Sequence, residues 1–411
     1  MRVRRREPCQ IEVADRLTPD VGALLRGEVR LDAEVHCHLL CAVTGRRIPL
    51  SRDELALVAG LDARAWVEVD ALAERGPLDA AAIRALADRG GLLSDAGTPG
   101  AQALREGEES LRRVGWHPQA AVFHALSEWT DAEGEGGDAE TPADRLQQFE
   151  DMVRRNGIPP EHFFRAVDET AERVRLPDAA LEGALAPLLA RRATTRHFDR
   201  AATLRLDALA QILYGTFGVL GVAEFLPGVV GVRKSSPSGG SLHPIEPYVL
   251  ALRVAGLAPG LYHYEGDTHR LALLRRLSDE EATALAISFT SGQHYFADAH
   301  ALVVHVARAE RTFWKYRRHA KAYKVLLLDS GHLSQTLHLL AAQSGLGAFY
   351  TAAINDGNIA RALELMPTRA FALGINGIGV PHADASWLHL PAVAWSPAPN
   401  PPSQPLQEPT A

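Results

Sequence analysis

The stretch "KAYKVLLLDSGHLSQTLHLLAAQSG", Lys321 to Gly345, restricts the fold more than any other. Its spacing predicts one long helix that is apolar nearly all round and stops at Gly345. A helix without a broad polar face belongs in the centre of a core or at an interface between chains. One residue inside it is out of character. Asp329 sits within "LLLDSGH", and an unpaired buried carboxylate costs on the order of several kcal/mol, so it needs a partner.

The segments around this helix set the fold class. "RLDALAQILYGTFG" spaces Leu206, Leu209, Ile212 and Leu213 on one helical face. "EPYVLALRV" reads as a strand, "GLYHYEGDTHRLALL" as a hairpin and "HALVVHVAR" as a buried strand, with "GAFYTAAIND" and "AFALGINGIGV" as two more. The layout is α+β, with no regular parallel βαβ series. Nearer the start, "AEVHCHLLCAV" reads as a strand and "TGRR" as a turn. "SRDELALVAGL" offers Ser51 as N-cap with Glu54 three residues on, a capping box. "ARAWVEVDALAERG" and "DAAAIRALADRGGLLSD" follow as two helices, with "GLLSD" as a wing strand. That order reads as a smaller winged-helix-like domain, and equally as a plain helical packing domain.

Two stretches act as punctuation. "TDAEGEGGDAETPAD", from Thr130, is acidic, rich in Gly and without large apolar residues, so it reads as a solvated linker. "SPAPNPPSQPLQEPTA", from Ser396, is a Pro-rich tail that cannot form a helix or a central strand. The expected division is therefore 1–129, a linker at 130–145, a main domain at 146–395 and a disordered tail at 396–411.

Composition removes several classes of function. With 46% hydrophobic and 23% charged residues the chain has material for a large core. A net charge of −7 excludes nucleic-acid binding through a global basic field. Three cysteines provide no disulfide framework and fit a reducing compartment. "MRVRRREPC" has no apolar stretch behind it and does not read as a signal peptide. No apolar run approaches the roughly 20 residues of a membrane span, so the expected location is cytoplasmic, away from membranes. "HCHLLC" invites a zinc reading of His36, Cys37, His38 and Cys41. On a strand, however, the two histidines face away from the two cysteines, so no metal is expected.

Three segments are candidates for chemistry. In "LLARRATTRHFD", Arg191, Arg192 and Arg196 surround Thr194 and Thr195. Guanidinium forks with hydroxyls suit a phosphate, although the same residues alone also describe a solvated helix end. "RKSSPSGGSLHP" puts Ser236 to Gly240 in a row of small residues. It is neither a Walker loop nor G-x-G-x-x-G. Its bare N–H groups can line a flat or anionic ligand, or form a plain turn. "TFWKYRRHAKAYK" sets Lys315 beside Tyr316. A lysine there is a candidate base if burial lowers its pKa towards roughly 7–8, and otherwise part of a solvated face.

Together, "RRATTRHFD", "SPSGGSLHPIEPYV", "GLAPGLYHYEGDTHRL", "FWKYRRHAKAYKVLLLDSGHLSQTLHLLA" and "GLGAFYTAAIND" follow the order of the nitroreductase superfamily. Within it the stretch from about Pro187 to Val380 resembles the SagB-type dehydrogenases. These are FMN-dependent azoline oxidases that mature thiazole- and oxazole-containing ribosomal peptides. The resemblance implies a nitroreductase-like FMN-binding fold, a mixed sheet flanked by helices, built as a homodimer. It implies that Arg192, Thr194 and Arg196 hold the FMN phosphate and ribityl chain. It places Pro237, Ser238, Gly239, Gly240 and Ser241 against the isoalloxazine ring, and makes Lys315 and Tyr316 the catalytic pair that removes a proton. The implied partners are a precursor peptide and cyclodehydratase components, with the N-terminal domain capturing a leader peptide by strand addition. Three positions depart from the resembled pattern: "AAIND" stands where Gly-Gly-Phe-Asp is usual, Thr336 stands where Asn is common, and "GINGIGVPHA" lacks the basic residue some nitroreductases place near their end. The alternatives are a general NAD(P)H-dependent nitro or quinone reductase and a non-catalytic scaffold of a peptide-modifying complex.

Overall fold

The computed structural model describes residues 1–133, 142–159, 174, 177 and 182–383. The Pro-rich tail and residues 134–141 of the acidic linker lie outside the described residues. The chain opens with β1 (Arg2–Arg4), β2 (Gln10–Pro19), α1 (Val21–Leu25), β3 (Leu31–Leu40) and β4 (Arg47–Leu50). Next come α2 (Arg52–Gly60), β5 (Val67–Glu68), α3 (Val69–Ala73), α4 (Ala80–Asp88) and β6 (Leu93–Ser94). Two longer helices follow, α5 (Pro99–Val114) and α6 (Pro118–Ser127). The predicted capping box starts α2: the Glu54 N–H donates to Ser51 Oγ at 3.2 Å, and the Ser51 N–H donates to Glu54 at 2.8 Å.

The N-terminal part differs from its expected form in two ways. β1 lies between β5 and β6, so the predicted wing strand pairs with the first residues of the chain. "ARAWVEVDALAERG" is not one helix, because Val67 pairs with Val3 and leaves only Val69–Ala73 helical. Burying Val3 between two neighbours overrides local helix propensity there. A second sheet, β2–β3–β4, carries a long two-stranded ribbon. Alternation sends Val13 and Leu17 of β2 and Val35 of β3 to one face, where they remain exposed.

α7 (Pro142–Asn156) starts within the stretch read as linker, and α8 (Ala186–Arg191) leads into the main sheet. Then come α9 (Leu206–Phe217), β7 (Gly221–Leu226), β8 (Val229–Arg233), β9 (Ile245–Ala251), β10 (Gly260–Glu265) and β11 (Arg270–Arg276). The remaining elements are α10 (Asp279–Phe289), β12 (Ala301–Arg308), α11 (Ala309–Lys315), α12 (Lys321–Gln343), β13 (Gly347–Thr351), α13 (Asp356–Ala362) and β14 (Ala370–Gly379). Six strands form one sheet in the order β11–β10–β9–β12–β14–β13, and these pairs are all antiparallel. Parallel pairing enters through two isolated bridges, Thr194 with Ala348 at the β13 edge and Leu204 with Val254 beyond the end of β9.

β12 shows why a mainly apolar strand is needed. Ala301, Val303 and Ala307 face the core under α9 and α12, while Leu302, Val304 and Val306 face the core on the other side with α10 and α13. Each buried Val or Leu there contributes about 1.5–3 kcal/mol. α12 lies where its sequence demands. Leu326, Leu333, Leu337 and Ala341 are buried, whereas Leu327 and Leu328 on its outer side are 47% and 62% exposed. On α9 the buried face is Leu209, Ile212, Leu213 and Phe217. Leu206, expected with them, is exposed because it occupies the helix's first position, beyond the edge of the core.

α5 and α6 share the core of the main sheet. Leu111, Val114, Trp116 and Val122 belong to the same buried cluster as Phe313, Leu326 and Phe371. The "AAIND" segment joins the two parts as well. Asn355 is 2% exposed; it accepts from the Ala132 N–H at 2.9 Å and donates to the Ala132 carbonyl at 3.0 Å.

Candidate functional site

The small-residue loop is shaped by α12. Ser238 Oγ donates to the Asp329 carboxylate at 2.5 Å and accepts from the His243 N–H at 2.9 Å. The Gly239 N–H donates to the other Asp329 oxygen at 3.0 Å. Asp329 is 3% exposed, so the carboxylate that needed a partner finds two in the loop. The same stripe extends one helical turn before Asp329 and two turns after it. A Cβ on Gly239 would overlap Val325, and the Thr336 hydroxyl lies 2.6 Å from that of Ser236. Residues 325, 329, 332 and 336 recur every three to four positions and so face the loop together. Thr336, the departure from the resembled branch, is therefore a loop contact.

Beyond Ser238 the backbone is unusual. Gly240 has φ 67°, and Ser241 and His243 also have positive φ. A Cβ on Gly240 would stand 2.8 Å from Tyr316 Oη and 3.0 Å from Lys315 Nζ. Only glycine lets the loop approach the Lys-Tyr pair that closely. Two candidates more than 70 residues apart in sequence thus meet. The Lys315 ammonium lies 5.7 Å from the centre of the Tyr316 ring. Lys315 is exposed, so the burial anticipated for a lysine base is not provided by this chain alone.

The arginine-threonine segment sits at a second station of α12. Arg192 caps the C-terminus of α8, which packs on α12. Burial, with the Arg192 charge beside it, lowers the pKa of His338 to about 4. His338 lies nine residues past Asp329, about 13 Å further along the helix axis. Its Nδ1 is buried and has no hydrogen-bond partner among the described residues. Thr194 bridges Ala348, and the Thr195 N–H donates to the Ala348 carbonyl at 2.8 Å. Arg192, Thr194 and Arg196 are all half-buried. Cationic forks with a hydroxyl at one end and bare backbone at the other form a donor set that fits a phosphate-bearing flat ligand.

Two basic residues flanking the loop escaped the sequence reading. Lys234, just before it, is held below the usual lysine range by burial; the Glu246 charge opposes this and the Arg311 charge adds to it. His243, just after it, is lowered by burial and by Lys234, against the Asp329 charge. Lys234 and His243 border a cleft of about 520 Å³ whose opposite wall is the β7–β8 hairpin, with Val222 and Phe225. The signal was present in "RKSSPSGGSLHP", but small residues drew the reading to the backbone. A second polar group lies beneath: His305 Nδ1 is 2.9 Å from Ser330 Oγ, which is 3.0 Å from Tyr350 Oη. Full burial depresses His305 to about 3 and keeps it neutral. Among the described residues no cluster of three or more His, Cys, Asp or Glu could hold a metal, and no helix is long and apolar enough to cross a membrane.

Residues 189–380 match the Nitroreductase family model. Protein MJ1384 of Methanocaldococcus jannaschii, named for the nitroreductases, is 29% identical over 192 residues, 47% of this chain and 89% of that protein. The trifolitoxin-processing protein TfxB of Rhizobium leguminosarum bv. trifolii is 32% identical over 33% of this chain and 36% of its own length. The microcin B17-processing protein McbC of Escherichia coli is 28% identical over 33% of this chain and 49% of its own length. The chain thus spans half or less of the two processing proteins.

Proposed function

We propose, for a chain whose residues 189–380 match the nitroreductases, that it is an FMN-dependent oxidoreductase acting in the maturation of a ribosomally made peptide. The reaction is the two-electron oxidation of an azoline ring to a thiazole or oxazole, or of a related peptide backbone bond. The relatives named for microcin B17 and trifolitoxin processing support the peptide as substrate. The single observation that carries the reading is the meeting of Gly240 with Lys315 and Tyr316.

FMN, when bound, would supply the two-electron acceptor for the hydride, with dioxygen or another acceptor as the final oxidant. The chain's own residues do the rest. Arg192, Thr194 and Arg196 hold the phosphate and ribityl chain. Pro237, Ser238, Gly239, Gly240 and Ser241 support the ring with main chain, and Asp329 keeps that loop in shape. Lys315 takes the ring proton of the substrate, with Tyr316 orienting it. Proton and hydride leave neighbouring ring atoms, so the substrate loses two hydrogens and gains one double bond.

The exposed Leu327 and Leu328 of α12 suit a homodimer interface, which would also shield the exposed Lys315 from water. In the N-terminal domain, the outer edge of β2 pairs with no strand among the described residues and offers ten residues for strand addition by a leader peptide. Cyclodehydratase components are further partners in this reading, and the compartment is the cytoplasm.

The test is Lys315→Ala in the FMN-loaded protein. Loss of two hydrogens from a thiazoline-bearing peptide, followed by mass spectrometry, should fall about 10²- to 10⁴-fold while the yellow colour stays. If NADH and a nitroaromatic turn over fast and the substitution is harmless, the chain is instead a general nitro or quinone reductase. A protein that cannot be reconstituted with FMN would be a scaffold.

A further inference from the structure

The N-terminal part touches the main domain at a telling place. α5 ends on Gly115 in the left-handed conformation, φ 88°, with its N–H returning to the Leu111 carbonyl at 3.1 Å. The end of that turn grips the segment that follows Tyr316. The Arg317 guanidinium donates to the Arg113 carbonyl at 2.9 Å, and the Arg318 N–H donates to the Gly115 carbonyl at 2.8 Å. Arg318 itself is held at φ 56°, a conformation a non-glycine residue keeps only when its surroundings impose it. There is no room to spare: a Cβ on Gly115 would stand 2.7 Å from Arg317 Cγ.

The next residue deepens the contact. Trp116 is 5% exposed and donates through Nε1 to the Thr368 carbonyl at 2.8 Å. Its ring meets Phe313 edge-on at 4.8 Å and Tyr323 at 6.1 Å. Phe313 lies two residues before Lys315, and Tyr323 is in the first turn of α12. One side chain from the N-terminal part therefore packs against both roots of the short connection that carries Lys315 and Tyr316. From the far side, Gly240 comes within contact of the same pair.

We infer that the Arg113–Trp116 turn is the positioning element of the Lys315–Tyr316 pair, so that the N-terminal part is a working component of the catalytic site. The inference rests on the reading of that pair given above. Tyr316 caps α11, its N–H donating to the Thr312 carbonyl at 3.0 Å and its own carbonyl accepting from the His319 N–H at 3.0 Å, so one tight turn is all that the connection supplies from its own backbone there. Residues 317–320 are all exposed. The turn supplies the second wall. A shift of that wall moves the lysine relative to the ring support, and displacements of about 1 Å in such groups cost about 100-fold in rate.

The test uses the full chain loaded with FMN and a synthetic peptide bearing one thiazoline. Arg317→Ala removes one grip on an exposed residue and should fold. Gly115→Val adds a strained side chain against Arg317. Both variants should retain FMN, lower kcat about 10- to 100-fold and leave KM within about twofold. Hydrogen exchange read by mass spectrometry should speed up for amides between Thr312 and Ala322. Adding Lys315→Ala to Arg317→Ala should lower the rate no further than Lys315→Ala alone. Unchanged exchange in both variants overturns the inference, as does a loss of kcat that persists in full in the Lys315→Ala background. Should Lys315→Ala leave turnover intact, the reading of the pair fails, and the exchange result alone still decides whether the turn holds the segment. If Gly115→Val does not fold, Arg317→Ala carries every arm.

Discussion

Replacing Asp329 by Asn tests the support of the loop. The carboxylate is 3% exposed and accepts from Ser238 Oγ at 2.5 Å and from the Gly239 N–H at 3.0 Å. Hydrogen bonds to a charged group contribute about 1.5–3 kcal/mol each. Asparagine keeps one carbonyl oxygen for one donor and turns an NH₂ group towards the other, so one bond is lost and the second becomes neutral. The expected cost is roughly 2–4 kcal/mol, divided between global stability and loop order. If half of it falls on the loop, the FMN dissociation constant rises on the order of 5- to 30-fold. Quenching of flavin fluorescence on titration into apoprotein gives the affinity, and urea unfolding of the same preparations gives the stability. Two results would refute the reasoning. Lower stability with FMN affinity within about twofold means the loop does not support the ligand. Unchanged stability means the carboxylate is not bonded as described.

Two further outcomes follow from the same geometry. Arg192→Ala should weaken FMN about 10-fold or more while leaving riboflavin affinity unchanged, because only the phosphate needs the guanidinium; an equal loss for both ligands places Arg192 elsewhere. Glu128, with its oxygen 3.2 Å from His124 Nε2, has its pKa raised to about 7 by burial and by the Asp356 charge. A carboxyl with a raised folded-state pKa stabilises the fold below its unfolded value, and that contribution is lost as pH rises through the folded value. Glu128→Gln should therefore be more stable than the parent above pH 7, by about 2–3 kcal/mol, with the difference shrinking towards pH 5. Urea midpoints across that range read it, and a difference that grows on acidification contradicts it.

The sequence by itself determined the elements whose pattern is local. The period of Lys321–Gly345 and the mainly apolar run of β12, broken only by His305 before Arg308, are consequences of burial on several sides, and they were readable without coordinates. The Ser51 capping box needed only a four-residue spacing. The demand of Asp329 for a partner followed from electrostatics alone, but its partner's identity did not. Ser238 and Gly239 lie about 90 residues away, and only the crossing of the loop over α12 joins them. The same holds for Gly240 against Lys315, and for Lys234 and His243, whose shifted protonation depends on burial that one-dimensional spacing does not encode. Val67 was misread because pairing with Val3 outweighs the helix propensity of its neighbours. The grip of Gly115 on Arg318 left no mark in the sequence at all, since a backbone carbonyl carries no residue identity. Periodicity and burial cost are local properties of the chain; which distant groups share one site is decided when helices and sheet pack.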